Sequence, residues 1–189
     1  MPDDRDLVRA YLRGDRGAFA RLVERHQRRV YNIAYRMLGR PEDAADAMQD
    51  VFLTCLRKLS GFRGDAAFTT WLHRITVNTC HDILRRRARE QPAREGDAEP
   101  PEPVVRDPAD AAVAAVEVGR ALARVPLEFR AALVLHDVRG LPYEEIAEIL
   151  GAPVGTVKSR IHRGRVAMAR ILRGEPPDTS RPSNIRENT

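Results

Sequence analysis

The chain has 189 residues, enough for two small domains of roughly 100 residues each, so two modest hydrophobic cores are the starting expectation. Lysine and arginine outnumber aspartate and glutamate by 32 to 27, and a sequence pI near 9.7 favours a polyanionic partner without demanding one. No stretch approaches the roughly 20 apolar residues that span a bilayer, the N-terminus lacks an apolar signal core, and Cys55 and Cys80 form neither a CxxC nor a zinc-type spacing, which points to a cytoplasmic chain with no membrane contact, disulfide framework or metal.

A short helix containing Leu7, Val8, Tyr11 and Leu12 is expected first. From Ala18 to Leu38, Phe19, Leu22, Val23, Val30, Ile33, Ala34, Met37 and Leu38 recur at steps of three and four, which lays one apolar stripe along a long helix. Gly39-Arg40-Pro41 interrupts it, and Glu42 and Asp43 suit the positive first turn of the next helix. That helix buries Ala44, Ala47, Met48, Val51, Phe52, Cys55, Leu56 and Leu59 and stops at Ser60-Gly61. A polar loop over 61–67 leads to a helix from Phe68 to Leu84 that carries Phe68, Leu72, Ile75, Thr79 and Ile83 inward and leaves Trp71, Arg74, Asn78 and Asp82 nearer the surface.

Residues 85–110 are dense in Arg, Glu, Asp and Pro and read as a linker. A second domain starts near 111, with a helix to Ala123 and another entered at Pro126 that runs through Phe129 and Leu135. Leu141 to Leu150 is a short helix entered through Pro142, with Ile146, Ala147 and Leu150 on one face; Gly151-Ala152-Pro153 is a tight turn, and a further helix covers Val154 to Met168. Two short helices joined by a glycine-containing turn make a helix-turn-helix, whose second helix is dimensioned for a major groove. Val154, Val157 and Ile161 face its partner, while Thr156, Lys158, Ser159, His162 and Arg163 point away as candidate DNA contacts, with Arg160 and Arg165 adding charge. The bland alternative is a solvated basic helix beside a structural hairpin. The tail after Arg173 is rich in proline and polar residues and reads as disordered.

The string Leu141 to Arg163 closely resembles region 4 of the extracytoplasmic-function (ECF) sigma factors, subunits that direct bacterial RNA polymerase to promoters. PEDAADAMQDVFL, from Pro41 to Leu53, is similar to the family's region 2 helix that docks on the polymerase clamp, and Phe62 to Arg86 is similar to its segment that reads the melted promoter. The resemblance implies an all-α chain of two small helical domains: region 2 over 1–87, a flexible linker over 88–110, the region 4 helix-turn-helix over 111–173 and a disordered tail over 174–189. It also implies core RNA polymerase (β′ clamp helices and β flap), promoter DNA and an anti-sigma protein as partners, with no cofactor and no catalytic residue.

Each segment has a physical reading beside the family one. Glu42, Asp43, Asp46, Gln49 and Asp50 fall at steps that put most of them on one exposed face, and an acidic face on a basic chain suits a basic protein partner. The resemblance makes that partner the polymerase clamp; a merely solvated face or a carboxylate metal site are the alternatives. Phe62, Asp65, Ala66, Ala67 and Phe68 make a loop with room for an unstacked base, and the resemblance adds Trp71, Arg74 and Asn78 as contacts to the -10 element. Phe62, Phe68 and Trp71 equally suit a hydrophobic core. Arg74 and Arg85-Arg86-Arg87 suit phosphates. In region 4 the resemblance assigns Lys158, Ser159, Arg160, His162 and Arg163, with Thr156, Tyr143 and Glu144 nearby, to the -35 element; His162 stands where an aromatic residue is frequent, and Pro142 where serine or threonine often caps the helix. His26, His73, His81 and His136 show no convergent pattern and are read as surface or locally hydrogen-bonded. The competing readings are a helix-turn-helix activator or repressor binding duplex DNA on its own, and a metal-dependent hydrolase built on Glu42, Asp46 and Asp50.

Overall fold

The computed structural model of the chain describes residues 2–90, 118–119 and 121–175, and every regular element among them is helical. Helix α1 (Asp4–Leu12) is capped by the Asp3 carboxylate, which accepts from the Asp6 N–H at 2.8 Å. Helix α2 (Arg16–Leu38) carries the long apolar stripe and ends at Gly39, whose φ of 81° is the left-handed conformation that lets its N–H turn back to the Tyr35 carbonyl. Helix α3 (Pro41–Lys58) starts on proline, which needs no N–H partner there, and places Glu42 and Asp43 in its first turn. A 3₁₀ turn (Leu59–Gly61) and a loop lead to α4 (Phe68–Glu90).

In the second half, residues 118–119 and 121–124 are helical. Helix α5 (Leu127–Leu133) then passes without a break into a π-helical turn (Val134–Val138). The helix-turn-helix follows as α6 (Tyr143–Leu150) and α7 (Val154–Leu172), with Gly151 between them at a φ of 59°.

Two hydrophobic clusters form, but they do not divide as one per domain. The first lies wholly in the N-terminal half, where Leu7, Leu22, Val30, Val51, Phe52, Leu59, Phe68 and Leu72 meet. The second joins the C-terminal end of α2 (Ile33, Met37), the start of α3 (Ala44, Ala47) and the middle of α4 (Val77, Cys80) to Leu122, Val134, Leu135, Ile146, Ile149, Val157 and Ile161. The two domains therefore share a core instead of hanging separately on a tether.

That sharing explains where the sequence reading falls short. Helix α4 buries His73, Thr76, Val77 and Cys80 on a second face because the other domain covers it, while Thr79 and Ile83, expected inward, are half-buried. His26 and His73 are buried: His26 is hydrogen-bonded, as one of the two readings had it, with its Nε2 2.9 Å from Asp4 Oδ2, whereas His73 is a core residue and not a surface one. Leu56, expected inward, is exposed. Helix α4 runs on through Arg85, Arg86 and Arg87 to Glu90, three residues into the span assigned to the linker. Pro142 is the N-cap of α6, and Ile149 is buried more deeply than Ala147 and Leu150. Helix α7 continues to Leu172. The expected helix over 111–123 and the expected disordered tail lie largely outside the described residues.

Candidate nucleic-acid interface

The outward face of α7 is set by which of its residues are consumed in packing. Val157 and Ile161 are buried against α5 and α6, and Gly164 sits so close to α5 that an added Cβ would lie 3.3 Å from the Leu133 Cβ. The opposite side therefore points to solvent, and Lys158, Ser159, His162 and Arg163 are all exposed on it. Lys158 lies with its Nζ 5.4 Å from the centre of the Tyr143 ring, and the Arg163 guanidinium 5.9 Å from that of Phe129. Aromatic faces thus hold both cations without neutralising them. The Tyr143 ring itself rests 4.7 Å from His136, whose Nδ1 is 3.0 Å from the Leu141 carbonyl, so the start of α6 is braced from behind.

The remaining region 4 candidates are placed less uniformly. Glu144 is exposed, and Tyr143 and Thr156 are half-buried. Arg160 turns toward α4 and lines a cleft of about 340 Å³ with His81, Arg85, Glu128 and Leu150. Arg165 is held by Asp137 through two hydrogen bonds of 2.9 and 2.5 Å, which keep the Asp137 carboxyl below its ordinary range. Its charge is therefore spent inside the chain.

Around the loop before α4 the aromatics form one cluster. The Phe62 ring is 5.7 Å from Phe68 and 5.2 Å from Trp71, and Phe68 and Trp71 are 5.7 Å apart. Phe68 is its floor, 2% exposed and also against His26, while Phe62 and Trp71 are half-exposed. Phe68 is therefore core, and the other two form a half-exposed rim above it. Asp65 and Ala67 are exposed, Ala66 is half-buried, and the Gly64 carbonyl accepts from Arg5 at 3.0 Å, which ties the loop to α1. Arg74 and Asn78 stand one turn apart on α4, both exposed.

On α3, Glu42, Asp46, Gln49 and Asp50 are exposed, and Asp43 departs from them. Its Oδ1 pairs with Arg87 of α4, which leaves Asp43 half-buried and joins the two helices. Leu53, 55% exposed one turn beyond Gln49 and Asp50, extends the acidic face with an apolar residue. The signal that finds it is a large aliphatic side chain lying off the helix's apolar stripe. Among the described residues no three His, Cys, Asp or Glu side chains gather as a metal site, and Cys55 and Cys80 are buried thiols pushed up to about 12 by desolvation. None of the described helices is long and apolar enough to cross a membrane.

Two family models match the chain, sigma-70 region 2 over residues 22–90 and sigma-70 region 4 over 115–168. The chain is 43% identical over 169 residues to the ECF RNA polymerase sigma factor SigM of Mycobacterium tuberculosis, covering 89% of this chain and 84% of that one. This chain belongs to the ECF RNA polymerase sigma factors. Within the family it is also 38% identical over 176 residues to the sigma-E factor of Escherichia coli K12, covering 87% of this chain and 92% of its relative. The solved structure of CnrH in complex with the cytosolic domain of CnrY superposes with a TM-score of 0.68 at 27% identity, over 92% of this sigma factor and 99% of CnrH. The two domains described above are thus sigma regions 2 and 4, in family order, and the chain is a transcription initiation factor.

Proposed function

We propose that this sigma factor divides promoter recognition between the two surfaces. The outer face of α7, with Lys158, Ser159, His162 and Arg163, reads the -35 element in the major groove. The rim of Phe62 and Trp71, with Asp65, Ala66, Ala67, Arg74 and Asn78, takes the unpaired -10 strand, and Phe68 supports it from below. Glu42, Asp46, Gln49 and Asp50, with Leu53 among them, dock on core polymerase; Asp43 braces α3 against α4 through Arg87. Because each contact is modest, tethering of both domains to one polymerase supplies the specificity that neither has alone.

The observation that carries this reading is that α7 presents four polar side chains to solvent while its other face is locked into the helix-turn-helix. The chain acts in the cytoplasm and performs no chemistry of its own: it positions polymerase. A second protein regulates it by covering one of these faces, as an anti-sigma factor does. This last element is supported by the family resemblance and by CnrH having been solved with the cytosolic domain of CnrY.

Run-off transcription from genomic promoter fragments with bacterial core polymerase tests the proposal. The sigma factor should give initiation that is absent without it, and the Asp46→Lys/Asp50→Lys variant should lose it while retaining its helical content. Tight duplex binding with no polymerase-dependent initiation would instead favour an ordinary helix-turn-helix regulator.

A further inference from the structure

His81 and Arg85 stand four residues apart on α4, so both side chains leave one face of that helix. They border the cleft of about 340 Å³ from the region 2 side, and Arg160 of α7 borders it from region 4. The apolar part of the lining also comes from region 4: Leu127 and Ala131, one turn apart on α5, and Leu150 at the end of α6.

Three basic groups therefore meet at one opening, and little inside the chain answers them. Arg160 is half-buried and has no acidic partner among the described residues. Arg85 has Asp82 at 3.6 Å, in a pair so exposed that it contributes little. Glu128 also borders the cleft, but it is exposed and pairs with neither arginine. The Nε2 of His81 is shut off from solvent and has no hydrogen-bond partner among the described residues. A polar atom in that state destabilises the fold until something meets it. Burial lowers the His81 pKa, and Arg85, Arg130 and Arg160 act in the same direction against Asp82, so cations crowd the ring. A neutral imidazole still donates through Nε2 when its proton sits there.

We propose that this cleft binds a small phosphate monoester with an apolar or planar body, of the size of a mononucleotide. A phosphate brings three acceptor oxygens and nearly two negative charges, which suits two guanidiniums and an imidazole better than a carboxylate does. Leu127, Ala131 and Leu150 supply apolar surface for the rest of the ligand, and the volume falls at the small end of the range for such sites. The ligand touches both domains at once, through His81 and Arg85 on one side and Arg160 on the other. Its site is separate from the outer face of α7, where Lys158, Ser159, His162 and Arg163 lie, and from the rim of Phe62 and Trp71.

Isothermal titration calorimetry of the full chain with adenosine 5′-monophosphate tests this, with adenosine and inorganic phosphate titrated separately. The nucleotide should bind about tenfold tighter than either fragment, because it alone meets both the basic and the apolar lining. Arg85→Gln and Arg160→Gln should each weaken it about tenfold, the loss of one charged hydrogen-bonding group. Lys158→Gln, which removes an equal charge from the outer face of α7, should change it less than twofold. Arg85 is exposed, so its variant keeps the fold even where the one at Arg160 disturbs the packing. Equal losses at Lys158 and Arg160 would put the anion on the outer face and overturn the proposal. So would adenosine or inorganic phosphate binding as tightly as the nucleotide, or no binding of the nucleotide to the parent chain.

Discussion

The guanidinium of Arg130 reaches the main-chain carbonyl of Met37, 93 positions earlier in the chain, at 2.6 Å. It also donates to the carbonyls of Val125, through Nε at 3.1 Å, and of Ala123. No carboxylate is among these partners: the buried cation is met by peptide oxygens at the ends of two helical segments, where the peptide dipoles leave partial negative charge. Burial still pulls Arg130 down to about 10. Arg130→Ala strands those carbonyls and opens a cavity, and should cost about 3–5 kcal/mol. Arg130→Lys keeps the charge but not the fork, so its urea midpoint should fall nearer to the alanine variant than to the parent.

His73 supplies a pH dependence. Burial, with help from the charges of Arg139, His26 and Arg29, lowers it to about 4, so the folded chain keeps it neutral. The unfolded chain protonates it near 6.5, which means that stability is full above that value and is lost as pH falls toward 4, by up to about 3 kcal/mol. His81 is shifted in the same direction by its own burial. Urea midpoints between pH 7.5 and 4.5 should decline steeply for the parent and less steeply for His73→Leu; parallel slopes would show that His73 is not the group responsible.

Gly39 has a φ of 81°, and a Cβ built there would lie 3.0 Å from the Ala123 Cβ. Gly39→Ala therefore combines left-handed strain with a clash across the domain boundary, for a loss of about 2 kcal/mol. Ala123→Gly in the same chain should recover the steric part only. Full additivity of the two substitutions would mean that the boundary is open in solution.

Gly164 allows α7 to approach α5 within reach of Leu133 and Phe129. Alanine gains helix propensity and meets only a tight contact, so Gly164→Ala should be near neutral. Gly164→Leu should lower stability by about 2–3 kcal/mol in thermal melts by overpacking the helix-turn-helix.

Lys158 and Arg163 separate function from fold, because both are exposed and lean on aromatic rings without anchoring the core. Lys158→Ala and Arg163→Ala should leave the melting temperature within a degree or two but reduce initiation from promoters that depend on the -35 element by about tenfold each, a loss of the order of one good base contact. Fragments in which the -35 element has been scrambled should respond much less.

Much of this was readable before any coordinates. The stripe from Leu22 to Leu38 and the inward set from Ala44 to Leu59 each lie along one side of a helix, even where that side passes from the first core to the shared one, and for one-sided helices the three- and four-residue steps suffice. Helix α4 is different: it packs on both sides, so His73, Thr76 and Val77 look polar or misplaced until the second domain is known to cover them. Arg130 sits unremarked in an apolar run because its acceptors are main-chain oxygens, which carry no sequence signal. Of the candidate contacts, the α7 face was legible from periodicity, whereas Asp43 turns to Arg87 and Arg160 toward α4, and nothing about a threonine in the first turn of α4 hints that the Thr70 hydroxyl donates to the carboxylate of Glu145, 75 positions away.

The bond from Arg130 to Met37 bears on how such chains can be recombined. Genes that encode one reader followed by another invite shuffling, in which the front half of one member is spliced to the back half of another at the link between them. Here the seam does not lie at the link. It runs through Met37, Gly39, Ala123 and Arg130, so a hybrid inherits a matched joint only when its two parents agree at those four places. Hybrids that differ there are expected to accumulate poorly even though each half is intact, and restoring the four residues together should rescue them.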